Sequence, residues 1–143
     1  MANFTVSGID EVEAAFRTTA AVPDDVKSNI LQRMAQVAAT AQARSAVAMG
    51  VYDPESTVHI AEHIKVNEPE ITDNGGSVTI TFSGTRKRGN KRVRNAEIAF
   101  INEFGKRGQP ARPFIKTAND KNAAKINEAG QEALDEWLAE VNK

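Results

Sequence analysis

Two patterns in this chain are built from residue types that do chemistry. The first is His59-Ile60-Ala61-Glu62-His63. On an α-helix the His-x-x-Glu-His spacing puts both imidazoles on one face, where they can share a zinc ion while the glutamate acts as general base. Such a centre needs a long supporting helix and a third ligand from another helix. Here Pro54 stands close upstream and the strand-like Ile64-Lys65-Val66 follows at once, which leaves barely two helical turns. Glu97, Glu103 and Glu132 are candidates for the third ligand, and spacing singles out none of them. The two histidines read better as surface or subunit-contact residues, so no metal and no cofactor are expected. Zinc hydrolysis is the weakest alternative.

The second pattern is charge. Nine of the 18 basic residues lie between Gly84 and Arg112, opposed only by Glu97 and Glu103. That segment carries +7 in a chain of net charge −1, leaving −8 for the rest. Arg86, Lys87, Arg88, Lys91, Arg92 and Arg94 form the densest run, with Gly89-Asn90 at its tip. Only Val93 among residues 84–94 is apolar, so the run cannot bury surface to offset its ordering entropy and is expected to be a mobile loop. Three readings stay open: a solvated loop, an arm on phosphate, or an arm on an acidic protein surface. With no aromatic interleaved for base stacking, nucleic-acid contact would be through the backbone and sequence-independent.

The elements that must position these residues follow from periodicity. Phe4 and Val6 suggest a short edge strand, and Ser7 an N-cap for a short helix from Ile9 to about Thr18. Pro23-Asp24-Asp25 opens the longest helix, which carries Val26, Ile30, Met34, Val37, Ala38, Ala41 and Val47 at helical spacing and stops at Gly50. Its alanine-rich second half permits close packing against core or a neighbouring subunit. Residues 51–58 read as a loop. Ile64, Val66 and Ile71 suggest a strand confined to an edge by Pro69; Asp73-Asn74-Gly75-Gly76 is a turn. Val78, Ile80 and Phe82 then alternate with Ser and Thr, the mark of a half-buried antiparallel strand. The expected fold is α+β: one domain over residues 1–143, a small antiparallel sheet packed against one long helix and a long C-terminal helix over 113–142. In that last helix Ile126, Ala129, Ala133, Trp137 and Val141 line one face, widened by Leu134 and Leu138.

The stretch from Asn95 to Ala118 joins these parts. It reads as a short helix with Asn95 as N-cap, Phe100 and Phe104 stacked at i and i+4, and Gly105 past its end. Pro113 suits the first position of the next helix. Phe104 and Phe114 are expected as core anchors on either side of an exposed loop, with Arg112 capping locally or paired to Glu103.

The pieces Glu103-Phe104-Gly105 and Ala111-Arg112-Pro113-Phe114-Ile115 resemble a family of small virion proteins of long-tailed phages, the tail-component or head–tail joining (neck, tail-completion) proteins. Val6-Ser7-Gly8-Ile9-Asp10-Glu11-Val12 is similar to the family's opening and His59-Ile60-Ala61-Glu62-His63-Ile64 to its middle, although Pro54-Glu55-Ser56-Thr57 lacks the Thr-Gly common there. The resemblance implies a structural protein with no catalytic residues, forming a hexameric or dodecameric ring in the virion neck or tail after assembly in the host cytoplasm. It implies portal or connector and tail-tube proteins as partners, with packaged DNA passing through the ring. Glu103, Phe104, Gly105, Arg112, Pro113 and Phe114 become the candidate interface.

Composition narrows the remaining classes. Two histidines and no cysteine remove most nucleophilic arrangements, disulfides and thiolate metal sites. No apolar run approaches the roughly 20 residues of a membrane span, so no membrane partner is expected. The opening MANFTVSGIDE lacks the basic start and apolar core of a signal peptide. The alternative from another class is a stand-alone, non-specific nucleic-acid-binding protein.

Overall fold

A strand that alternates apolar and polar residues buries one face, and Gly75–Phe82 (β4) does so with Val78, Ile80 and Phe82. In the computed structural model of the chain, which describes residues 4–7, 22–51, 60–73 and 75–142, β4 is the strand on which the main sheet is built. Phe4–Ser7 (β1) pairs antiparallel along one side, Phe4 opposite Ile80. Ile64–Val66 (β2) and Glu70–Thr72 (β3) share the other side end to end, Ile64 opposite Phe82 and Thr72 opposite Gly75. The break between them falls at Pro69, which has no N–H to give a ladder. Gly76 sits where a Cβ would come within 2.6 Å of the Glu70 carbonyl and 3.0 Å of Leu31 Cδ1. Glycine there lets the long helix lie close on the sheet.

That helix, Asp24–Ala48 (α1), starts after Pro23, whose carbonyl accepts from the N–H groups of Val26 and Lys27. It buries Ile30, Leu31, Met34, Ala35, Ala38 and Ala39 against β4 on one side and the C-terminal helix, Phe114–Val141 (α3), on another. The two helices are antiparallel: Arg33 bonds Glu136 at 2.7 Å, and Gln42 Nε2 donates to Asn119 Oδ1 at 3.1 Å. Small residues at the contact, Ala35, Ala38, Gly130 and Ala133, bring the axes close. A second apolar cluster gathers around Phe114 and Phe82, whose rings meet edge to face at 5.8 Å. Asn95–Phe104 (α2) adds Ile98 and Ala99 to it.

The fold is thus α+β as expected, a small antiparallel sheet with one long central helix and a long C-terminal helix. Details differ. Val47 and Val141, expected on apolar faces, are each 59% exposed; Val47 follows the fully buried Ala46 and lies on the outward side of α1. Pro113 is the cap before α3 and not its first residue, and α3 spans 114–141. The helix expected over residues 9–18 and the loop over 52–58 lie outside the described residues.

Candidate assembly surface

The basic run, expected as a loop, is a β-ribbon. Thr85–Arg88 (β5) and Lys91–Arg94 (β6) pair as an antiparallel ribbon, with Arg86 opposite Val93, Lys87 opposite Arg92 and Arg88 opposite Lys91. The tip is Gly89-Asn90, as the sequence suggests, and Gly89 takes φ +62°, the left-handed backbone a two-residue hairpin needs at its first position. A polar pin holds the ribbon down. Arg86 is buried and its Nε donates to Asn95 Oδ1 at 2.8 Å; Asn95 Nδ2 donates in turn to the Ser83 carbonyl at 2.8 Å. Val93 packs on the Phe114 cluster beside it. Asn95 is therefore the buried first residue of α2 and not its N-cap. A count of apolar residues does not reveal this, because an arginine stem turned inward is itself apolar surface. Lys87, Lys91, Arg92 and Arg94 remain exposed, and Arg94 pairs with Glu97 at 2.7 Å.

At the other end of α2, where Arg112 is expected to cap locally or to pair with Glu103, the two residues instead cap different helices. Glu103 is buried and accepts from the N–H groups of Ile115 at 2.8 Å and Lys116 at 2.9 Å. Its carboxylate thus sits on the positive N-terminal end of the 28-residue α3. Arg112 instead donates from Nη1 to the Gly50 carbonyl at 3.1 Å, placing a cation beside the C-terminal end of α1. Gly105 has φ +76° and no room for a Cβ, which would lie 2.9 Å from the Ala111 nitrogen. Phe114 is fully buried, as expected of an anchor.

Phe104 is no anchor. It is 62% exposed and Phe100 is 46% exposed, the rings in contact at 4.8 Å and tilted by 51°. Both belong to the outer stripe of α2 that begins at Glu97, whereas Ile98, Ala99 and Asn102 turn inward. A tight turn follows, Lys106 and Gln109 exchanging backbone hydrogen bonds at 3.0 and 2.9 Å with Arg107-Gly108 at the tip. The two exposed rings thus lie between cations at both ends of a helix about 15 Å long. Of the expected interface residues, Glu103 and Phe114 are buried in the joint, Gly105 is half-buried, and Phe104, Arg112 and Pro113 are exposed.

Comparison with family models, curated protein sequences and solved structures found no significant match.

The antiparallel helices also sort charge in space. Residues 84–125 hold twelve Lys and Arg against three acids, and residues 126–142 hold five acids and no base. Arg44 of α1 stands across a groove from Lys121 and Lys125, while Asp25 shares a depression with Glu136 and Glu140. One end of the helix pair is cationic and the other anionic. At the anionic end Arg33 holds the exposed Glu136 carboxyl below the usual carboxylate range, chiefly by hydrogen bonding. Of the histidine pattern, His59 lies outside the described residues. Glu62 is exposed and His63 half-buried on a four-residue 3-10 turn, Ile60–His63, that runs straight into β2. Among the described residues no group of three or more His, Cys, Asp or Glu is placed to share a metal ion.

Proposed function

We propose that this chain is a structural protein of a long-tailed phage particle, a ring-forming subunit at the head–tail junction or tail end. The observation that carries the reading is the segregation of charge along the helix pair. A molecule cationic at one end and anionic at the other docks head to tail on copies of itself, and such heterologous contacts close into rings when the rotation allows. The resemblance of Glu103-Phe104-Gly105 and Ala111-Arg112-Pro113-Phe114-Ile115 to phage joining proteins supplies the particle. In that setting portal or connector and tail-tube proteins are the partners above and below. The exposed Phe100–Phe104 pair, flanked by cations, is then a docking surface for one of them.

The test is the mass of the purified protein and of its ring in intact virions. Closed rings that dissociate as salt rises are expected, because exposed charges are screened within about 8–10 Å. The basic ribbon favours a second reading, a non-specific nucleic-acid-binding protein working alone. A chain that stays monomeric and binds DNA tightly would decide for that one.

A further inference from the structure

A groove follows the outside of the helix pair. Its two stretches, of about 530 and 560 Å3, share Gln36 and Val37. The first has Lys121 and Lys125 on its α3 wall and the second has Glu132. Ala41, Ala48 and Ala118 keep the first stretch low, so another helix can come close to its floor. From Thr117 to Glu132 the groove runs beside α3 for about 22 Å at 1.5 Å per residue.

Lys121, Lys125, Glu128 and Glu132 stand along this crest at i, i+4, i+7 and i+11, one stripe of the helix. All four are exposed, and among the described residues none has an opposite charge within 4 Å. Their order is self-complementary. Turned end for end about a point between Ile126 and Asn127, the stripe sets Lys121 against Glu132 and Lys125 against Glu128.

We propose that a second copy of this chain docks on the groove with its α3 antiparallel to the first, each copy's lysine pair meeting the other's glutamate pair. A parallel arrangement would place lysine on lysine and glutamate on glutamate, so charge fixes the orientation while the alanine-lined floor supplies the burial. The contact is two-fold and closes at two copies. Its two-fold symmetry distinguishes it from the head-to-tail contact of the joining role, although Lys121 and Lys125 belong to the cationic end that contact also uses. It would pair subunits or stack rings back to back.

Native mass spectrometry and sedimentation of the full chain test this with three variants. Lys121→Glu with Lys125→Glu makes the stripe wholly acidic, and Glu128→Lys with Glu132→Lys makes it wholly basic. Each should weaken pairing by about a hundredfold through like-charge contact. Melting should shift only slightly, since every altered position is exposed and like-charge neighbours on a helix surface cost little. Mixing the two variants should restore a mixed dimer, and the fourfold swap should restore the homodimer. Pairing that survives either double variant, or a mixture that stays apart, overturns the proposal. Rings that persist while pairing ignores these changes overturn this contact alone and leave the joining role standing. Two-fold dimers that form without any ring do the reverse.

Discussion

Phe104 and Phe114 are ten positions apart in one joint, and replacing each by alanine should give opposite results. Phe114 has no exposed surface and its ring meets Phe82 edge to face at 5.8 Å. Removing a buried phenylalanine costs about 3–5 kcal/mol, part of which is the aromatic pair. That is a large fraction of the roughly 5–15 kcal/mol that holds a domain folded. At about 3–5 °C per kcal/mol for a chain of this size, Phe114→Ala should lower the melting temperature by roughly 10–20 °C. Phe104, at 62% exposure, has little to lose on folding, so Phe104→Ala should stay within about 0.5 kcal/mol of the parent. Under the proposed function its effect belongs to assembly. Thermal and urea melts followed by circular dichroism read the first quantity, and native mass or incorporation into particles reads the second. A Phe104→Ala variant that melts as early as Phe114→Ala would refute the assignment of inside and outside. One that neither melts early nor assembles poorly would remove the exposed pair from the docking surface.

Glu103→Ala should cost about 2 kcal/mol, because the first turn of α3 loses a charged cap accepting two backbone N–H groups; urea titration measures it. Arg86→Ala should release the ribbon without unfolding the body, seen as faster amide exchange confined to residues 85–94. Neutralising Lys87, Lys91 and Arg92 should leave the melting temperature unchanged or slightly raised, since Lys87 faces Arg92 in register and like charges directly opposite are destabilising. If the ribbon binds DNA, the same variant should flatten the salt dependence of binding, by about 0.9 in log–log slope for each phosphate it no longer neutralises. The pair between Glu136 and Arg33 adds an increment that is present above the ordinary carboxylate range. It is lost as pH falls through the lowered pKa of Glu136, so Arg33→Ala should narrow the stability difference between neutral and acid pH.

What can be read from the sequence is what repeats locally. The alternation of Val78, Ile80 and Phe82, the spacing of Ile30, Met34 and Ala38, and the Gly50, Gly89 and Gly105 turns each declare themselves within a few residues, and each stands where expected. What cannot be read depends on distant partners. Arg112 reads either as a local cap or as the ion partner of Glu103, an opposite charge nine positions away. Only the placement of two helix ends beside one loop sends the carboxylate to Ile115 and Lys116 and the guanidinium to Gly50. Phe104 and Phe114 are the same residue type in the same stretch, and the turn of α2 alone decides that one faces water. Arg86 reads as one more solvated charge in a basic run, yet its register opposite Val93 makes it half of an inward-facing pair.

The joint and the ribbon together bear on how binding at the cationic end would work. A loop of six charges with nothing to hold it would have to be ordered by its partner, and that ordering would be subtracted from the affinity. Here the ribbon is fixed to α2 through Arg86 and Asn95, and α2 is tied at its far end by Glu103 to α3, while Arg112 ties the following loop to α1. The exposed cations of β5 and β6, the Phe100–Phe104 pair and the Lys106–Arg107 turn are therefore carried as one piece on the ends of the two longest helices. These ties are hydrogen bonds of charged and amide side chains rather than apolar packing, so their removal should loosen presentation before it unfolds the core. A partner that needs the rings and the cations in fixed relation would detect that loosening first. This is why Arg86→Ala and Glu103→Ala should impair assembly at temperatures where the chain is still fully helical.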